Sequence, residues 1–282
     1  MFRIKFWGVR GSIPTPGPHT ARFGGNTSCL EVNADDTLVI LDGGTGLRLL
    51  GEELIKKRKG APIRTYMFFS HVHWDHIQGF PFFIPIFQAQ NEIHIFGGQN
   101  LEMTLGETLA GQMNFPNFPV TLEACAAKMH FKIFEDGQAL SIADGLTITG
   151  LPLKHPNGCY GYRIEYEGKV FTYCTDTEHD ATSGEPDKNI LKLAKNADLF
   201  VYDSQYTPAE YTGEEGGMPK VGWGHSTYVE AATLAKLANV KQLVLFHHDP
   251  GHDDAKIEEM ETAAKALFPN CEAACEGREF LL

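Results

Sequence analysis

The 282-residue chain has no apolar run approaching the roughly 18 residues that a membrane-spanning helix needs. The opening MFRIKFWGVRG alternates like a strand and lacks the apolar core of a signal peptide. C-x-x-C pairs are missing too. The six cysteines are scattered, with only Cys271 and Cys275 close together, and they read as reduced thiols of a cytoplasmic protein. Basic residues are in short supply, 24 against 36 acidic ones, for a formal charge of −12. A protein that grips a long nucleic acid neutralises several phosphates with Lys and Arg, so this balance argues against such a partner. The one basic run, KKRK at 56–59, ends an expected helix before Gly60, where cations suit the helix dipole. Bound divalent cations would offset part of the negative charge at one place.

Neither a repeat nor a linker divides the chain, so one domain over 1–282 is expected, with an insertion around 97–130. Strand-like runs fall at 2–7, 37–41, 64–69, 92–96, 130–134, 146–151, 160–166, 169–174, 198–202 and 242–246. Helical patterns fall at 46–58, 101–112, 188–195, 226–238 and 253–266. The second half repeats the order of the first. That predicts an α/β fold of two mixed sheets packed face to face with helices outside, an αββα four-layer sandwich. The segments 8–27, 113–121 and 206–224 are too rich in Gly, Pro or aromatics to read as plain connections.

The densest chemistry lies in FFSHVHWDH at 68–76. Residues two apart in an extended chain share a face, so His71 and His73 can aim at one spot. A turn after them would send Asp75 and His76 to a neighbouring spot. Imidazole and carboxylate are costly to crowd together unless something satisfies them. Two adjacent metal ions would use all four, and the cluster alone offers too few ligands for both. Further candidates end apolar runs in the same way: His155 after LTITGLPLK, Asp176 after KVFTYCT, and His247 after LVLF. A turn residue, a helix cap and a strand-end histidine are their plainer readings.

H-x-H-x-D-H after a strand resembles the metallo-β-lactamase fold superfamily. Its phosphodiesterase branch is the nearer match, over most of the chain. LKHPNGCYGYRI is similar to the RNase Z-like segment that carries a third histidine ligand, VFTYCTDT to the segment with a bridging aspartate, and GHST followed by VKQLVLFHHD to the catalytic histidine and last ligand. FWGVRGSIP, FGGNTS and HHDPGHDD look more like the bacterial cyclic-nucleotide phosphodiesterases of this fold. The resemblance implies one ion on His71, His73 and His155, another on Asp75, His76 and His247, and Asp176 between them. It implies His225 as general acid, oriented by Asp203. It selects His247 over His248, which strand alternation turns to the opposite face. Asp42, ending a strand, is expected to brace the ligand loop by hydrogen bonds. His179, His252, Asp249 and Asp253 are left as decoys or supporting groups, and His19, His94 and His130 as structural or surface residues.

The expected activity is hydrolysis of a cyclic nucleotide such as 3′,5′-cyclic AMP to the 5′-monophosphate, with hydroxide generated by two divalent ions, zinc first and manganese or iron as alternatives. Arg10, Ser12, Asn26 and Thr27 are candidate contacts to phosphate or ribose. Phe115 and Phe118 either stack a nucleobase or pack beneath their loop. The partners expected are a small nucleotide and, as an allowed addition, a second copy of the chain, with no membrane. The rivals are an RNase Z-like endoribonuclease or other small phosphodiester hydrolase, a thioester or lactam hydrolase, and a metal-bearing nucleotide sensor without turnover.

Overall fold

Alternation builds the first strand, β1 (Phe2–Gly8): Phe2, Ile4 and Phe6 are buried, and Arg3, Lys5 and Trp7 between them are half-buried. The computed structural model describes residues 1–98, 104–180, 185–214 and 216–282. Among these, β1 continues into β2 (Cys29–Ala34), β3 (Thr37–Leu41), β4 (Arg64–Phe68), β5 (Glu92–Gly98) and β6 (Lys128–Phe134). The second half supplies β7 (Ala139–Ala143), β8 (Leu146–Leu153), β9 (Cys159–Tyr166), β10 (Lys169–Cys174), β11 (Leu199–Asp203), β12 (Leu243–Phe246), β13 (Cys271–Ala273) and β14 (Glu279–Leu281). They form two seven-stranded sheets, ordered β14-β1-β2-β3-β4-β5-β6 and β13-β12-β11-β10-β9-β8-β7. Each is antiparallel in one half and parallel in the other, with the changes at β3 and β10.

The sheets meet through Phe6, Val32, Leu41, Phe68 and Phe96 on one side and Ile148, Tyr162, Tyr173, Val201 and Phe246 on the other. Helices close the outer faces. α1 (Gly46–Arg58) buries Leu47, Leu50 and Leu54 on the first sheet, joined by Leu105 and Leu109 of α3 (Leu105–Gln112). On the second sheet, α4 (Lys188–Ala194), α6 (Tyr228–Leu237) and α7 (Asp254–Leu267) bury Ile190, Leu193, Leu234, Ala235 and Ala264. Each large apolar side chain so buried contributes about 1.5–3 kcal/mol. This is the expected four-layer arrangement.

Four strands exceed the sequence expectation, β2, β7, β13 and β14. β2 carries the polar Glu31, held by Arg3 and Trp7, and Asn33, while β13 and β14 are three residues long, too short for a period to register. The helix expected at 101–112 runs Leu105–Gln112 behind a Thr104–Glu107 capping box, and its positions 101–103 lie outside the described residues. Two short helices complete the set: α2 (Trp74–Ile77) and α5 (Pro208–Thr212), the latter inside the segment expected to be loop. No helix among the described residues is long and apolar enough to cross a membrane.

At or just beyond the C-terminal ends of β3, β4, β8, β10, β11 and β12 stand Asp42, His71, His155, Asp176, Asp203 and His247 in turn. Parallel strands characteristically present binding sites there.

Candidate metal centre

Three strand ends turn sharply to reach the centre. Asp42, Asp176 and His247 all adopt left-handed backbone, with φ of 58°, 47° and 64°. That conformation costs a non-glycine residue about 1–2 kcal/mol, and residues held in it cluster at functional sites. α2 begins immediately after His73, so Asp75 and His76 lie in its single turn while His71 and His73 precede it in extended chain.

The seven predicted ligand side chains converge in two groups. Donor atoms of His71, His73 and His155 lie within 4.8 Å of one another, as do those of Asp75, His76, Asp176 and His247. Asp176 stands between the groups. Its Oδ1 is 3.2 Å from both His76 Nε2 and His247 Nε2, while its Oδ2 is 3.5 Å from His71 Nε2 and 3.8 Å from His155 Nε2. One carboxylate thus turns one oxygen to each group.

The surrounding bonds decide which imidazole nitrogen faces inward. Asp42 Oδ2 takes His76 Nδ1 at 2.9 Å, Gln205 Oε1 takes His247 Nδ1 at 2.9 Å, and the Gly224 carbonyl takes His155 Nδ1 at 2.8 Å. Each leaves Nε2 for the centre, the arrangement that tunes metal-binding histidines. Asp42 also accepts the Ser70 backbone N–H, the Ser70 hydroxyl and the Tyr173 hydroxyl, which are the bracing bonds expected of it. Asp75 Oδ2 accepts the Ser12 backbone N–H at 2.7 Å.

Burial holds His71, His73 and His155 below the usual imidazole range and therefore neutral, with a lone pair to give. Burial works against ionised Asp75 and Asp176 as well, but the neighbouring histidines prevail and hold both well below the usual carboxylate range. His76 is shifted the other way. Burial disfavours its charge, yet Asp176, Asp75 and Asp42 raise it well above the ordinary value, so a proton and a cation compete at this ring. Buried His71 Nε2 has no hydrogen-bond partner among the described residues. That orphaned nitrogen, aimed at the ionised Asp176 beside the neutral His73 and His155, fits a divalent cation.

Beside the centre, His225 Nδ1 lies 2.8 Å from Asp203 Oδ2. Burial opposes the imidazolium, but the charge and hydrogen bond of Asp203, with the charges of Asp176 and Asp75, raise His225 to about 9. Asp203 is itself fixed by the N–H groups of Thr177, Gln205 and Ser226.

The other predicted residues part from this group. Arg10 is corrected as a substrate contact: it is wholly buried, and its guanidinium donates to the carbonyls of Gly24, Asp249 and His252. Asn26 is half-buried, and Glu276 takes its backbone and side-chain N–H groups. Thr27 is buried against Thr45. Ser12 reaches the centre through its backbone rather than its hydroxyl. Phe118 packs edge-on against Phe82, its centroid 5.6 Å away, and joins the outer core, the packing alternative weighed for it. Phe115 is 91% exposed. His248 is buried away from the centre with Nε2 on the Ala274 carbonyl. His252 pairs with Glu210, His179 with Ser226, and Asp253 caps α7.

Glu92, His94 and His130 form a separate group on β5 and β6, where Arg64 Nη2, 3.5 Å from His94 Nε2, already supplies a cation.

Sequence reasoning missed Gln205, Gly11 and Gly224. A Cβ at Gly11 would lie 2.4 Å from His247 ring atoms, and one at Gly224, whose φ is 89°, would lie 2.3 Å from His155 Nδ1. A glycine in a Gly-rich loop carries no pattern that marks it as making room for a particular ring. Trp74 was visible inside the ligand motif, but its 79% exposure was not.

Residues 37–248 match the model of the beta-lactamase superfamily domain. The chain belongs to that superfamily. Among superfamily relatives it is 25% identical to a ribonuclease Z of Prochlorococcus marinus subsp. pastoris, with 95% of each chain covered. In fold it resembles the metallo-beta-lactamase fold protein YhfI from Bacillus subtilis, at 19% identity and a TM-score of 0.71 over all of both chains. It also resembles the short form of human tRNase Z, at 17% identity and a TM-score of 0.66 over 99% of this chain and 98% of that one.

Proposed function

We propose that this chain is a metal-dependent phosphodiesterase whose substrate is a cyclic nucleotide, opened to the 5′-monophosphate. The observation that carries the reading is the placement of Asp176, one oxygen toward each histidine group, beside the Asp203–His225 pair. His71, His73 and His155 would hold one cation, Asp75, His76 and His247 a second, with Asp176 shared. The imidazole-rich donor set suits zinc first, then manganese or iron. When bound, a pair of divalent ions supplies a nucleophile near neutral pH and screens the charge of the phosphodiester.

The chain's own residues do the rest. Asp42 and Gln205 hold His76 and His247 in the tautomers that turn Nε2 inward. Asp203 commits Nδ1 of His225, so Nε2 is the nitrogen left to give a proton to the departing ribose oxygen. A general acid so placed is worth about 10²–10⁴ in rate.

The acidic balance of the chain favours a small substrate. Within the described part of the expected insertion, Gln112 donates to the Ile77 carbonyl at the end of α2, which supports a substrate-facing role for that stretch. Phe115 beyond it and Trp74 in α2 are exposed aromatic rings able to stack a nucleobase, worth about 1–3 kcal/mol per base. The described cysteines are unpaired, which supports a reducing, cytoplasmic setting.

A second reading, endonucleolytic cleavage at RNA 3′ ends, is favoured by the name of the ribonuclease Z relative. Cyclic AMP and a tRNA precursor, each offered to zinc- and manganese-loaded protein, separate the two. Turnover of cyclic AMP with little RNA cleavage is expected, and efficient precursor cleavage with no cyclic nucleotide turnover would overturn the substrate assignment. Cyclic AMP binding without product would instead favour a sensor.

A further inference from the structure

Glu178 lies two residues beyond Asp176 and belongs to neither histidine group, yet it is tied to both sides of the centre. It is 6% exposed. Its backbone N–H donates to the carbonyl of Lys154, the residue before His155, at 2.8 Å. Its Oε1 accepts the Tyr211 hydroxyl at 2.7 Å and the Gly222 N–H at 2.6 Å, and its Oε2 accepts the Gly224 N–H at 2.9 Å. Hydrogen bonds to a carboxylate are about twice as strong as neutral ones. They pin a turn in which Gly222 and Gly224 both have left-handed φ, 86° and 89°.

That turn serves two histidines at once. The Gly224 carbonyl receives His155 Nδ1, and the next residue is His225. We propose that Glu178 is a positioning residue that sets His155 and His225 together. The inference rests on the phosphodiesterase reading for what those two histidines do. Glu178 touches neither histidine and acts through the backbone beside them, chiefly Gly222 and Gly224. Its carboxylate holds the N–H of Gly224, and the next peptide, Gly224–His225, offers the carbonyl that selects the His155 tautomer and leads into the His225 held by Asp203. Loosening it would misplace a metal ligand and the proton donor in one step.

The test compares holoenzyme carrying Glu178→Gln or Tyr211→Phe with the wild type. The amide offers one acceptor oxygen where the carboxylate offers two, and its NH₂ would face a backbone N–H. Tyr211→Phe removes a bond of similar length but leaves both backbone N–H groups held. One readout is zinc retention under chelator competition. Loss of a hydrogen-bond partner behind a ligand typically costs about 10–100-fold in metal affinity, and Glu178→Gln should lose one of its two ions that much more readily, with Tyr211→Phe close to wild type. The other readout is the ratio of kcat on cyclic AMP, whose alkoxide must be protonated, to kcat on bis-p-nitrophenyl phosphate, whose leaving group needs no acid. Glu178→Gln should lower that ratio about tenfold or more, as a displaced general acid would. Wild-type zinc retention and an unchanged ratio would overturn the proposal, even if the variant melts earlier, because they assign Glu178 to folding alone. If the wild type turns over neither diester, the phosphodiesterase reading fails, while zinc retention still decides whether Glu178 positions His155.

Discussion

His225 Nδ1 and Asp203 Oδ2 meet at 2.8 Å in a pocket that buries the carboxylate completely. The bond fixes which nitrogen of His225 remains for chemistry. His225→Ala is therefore expected to keep its metal and lose about 10²–10⁴ in kcat. Metal analysis beside kinetics checks both halves, and depletion of metal in this variant would move His225 among the ligands. Asp203→Asn should lower kcat in the same direction while sparing metal content.

Asp176 is expected to be the least replaceable ligand. Its two oxygens face different histidine groups, so Asp176→Ala removes a contact from both. Bound zinc per chain, measured after dialysis, should fall toward zero. His73→Ala, on one group only, should retain about one ion by the same reasoning. A wild-type metal count in Asp176→Ala would refute the shared role.

Asp42→Asn tests support without contact. Asparagine tolerates the left-handed backbone at this position, so the change isolates the carboxylate. The lost acceptor leaves one of Ser70, His76 or Tyr173 without its partner, and a buried unsatisfied donor costs about 1–3 kcal/mol. A lower Tm is expected, together with metal affinity reduced about 10–100-fold through the freed His76 ring. Affinity equal to the wild type would show that His76 holds its orientation unaided.

Glu210 makes acid stability measurable apart from the centre. Burial disfavours its charge, but the hydrogen bond from His252 and those from Thr207 outweigh it and pull its carboxyl to about 2. A depressed folded-state value means the contribution is fully present above the unfolded value near 4.5 and is lost as pH falls from there through about 2. Melting curves of metal-free wild type should therefore fall more steeply over this window than those of Glu210→Gln. Parallel curves would show that Glu210 adds nothing to acid stability.

The side chains that converge at the centre could be picked out in the sequence because their chemistry is local: three imidazoles and a carboxylate in six positions have little use except to hold cations. His155, Asp176 and His247 were legible through their place after apolar runs, since strands that point the same way deliver the residues at their ends to one rim. Gln205 and Glu178 were not legible. A single amide or carboxylate after a strand has many uses, and only the distance to a ring or a peptide N–H selects one. Arg10 misled for the opposite reason: an arginine in a Gly-rich loop suggests an anion, whereas here its donors knit three loop carbonyls together. The helix Pro208–Thr212 had a local signal in Thr207, Pro208 and Glu210, obscured by the glycines after them.

The order of the cluster along the chain has a consequence for how the protein is made. His71, His73, Asp75 and His76 leave the ribosome early, whereas His247 emerges only after β11 and α6, 171 residues behind His76. A nascent or truncated polypeptide that stops short of β12 carries six of the seven donors, with the His71, His73 and His155 group complete and the other still lacking His247. Filling of the His247 group would thereby wait for β12, and full occupancy would double as a sign that synthesis has passed it.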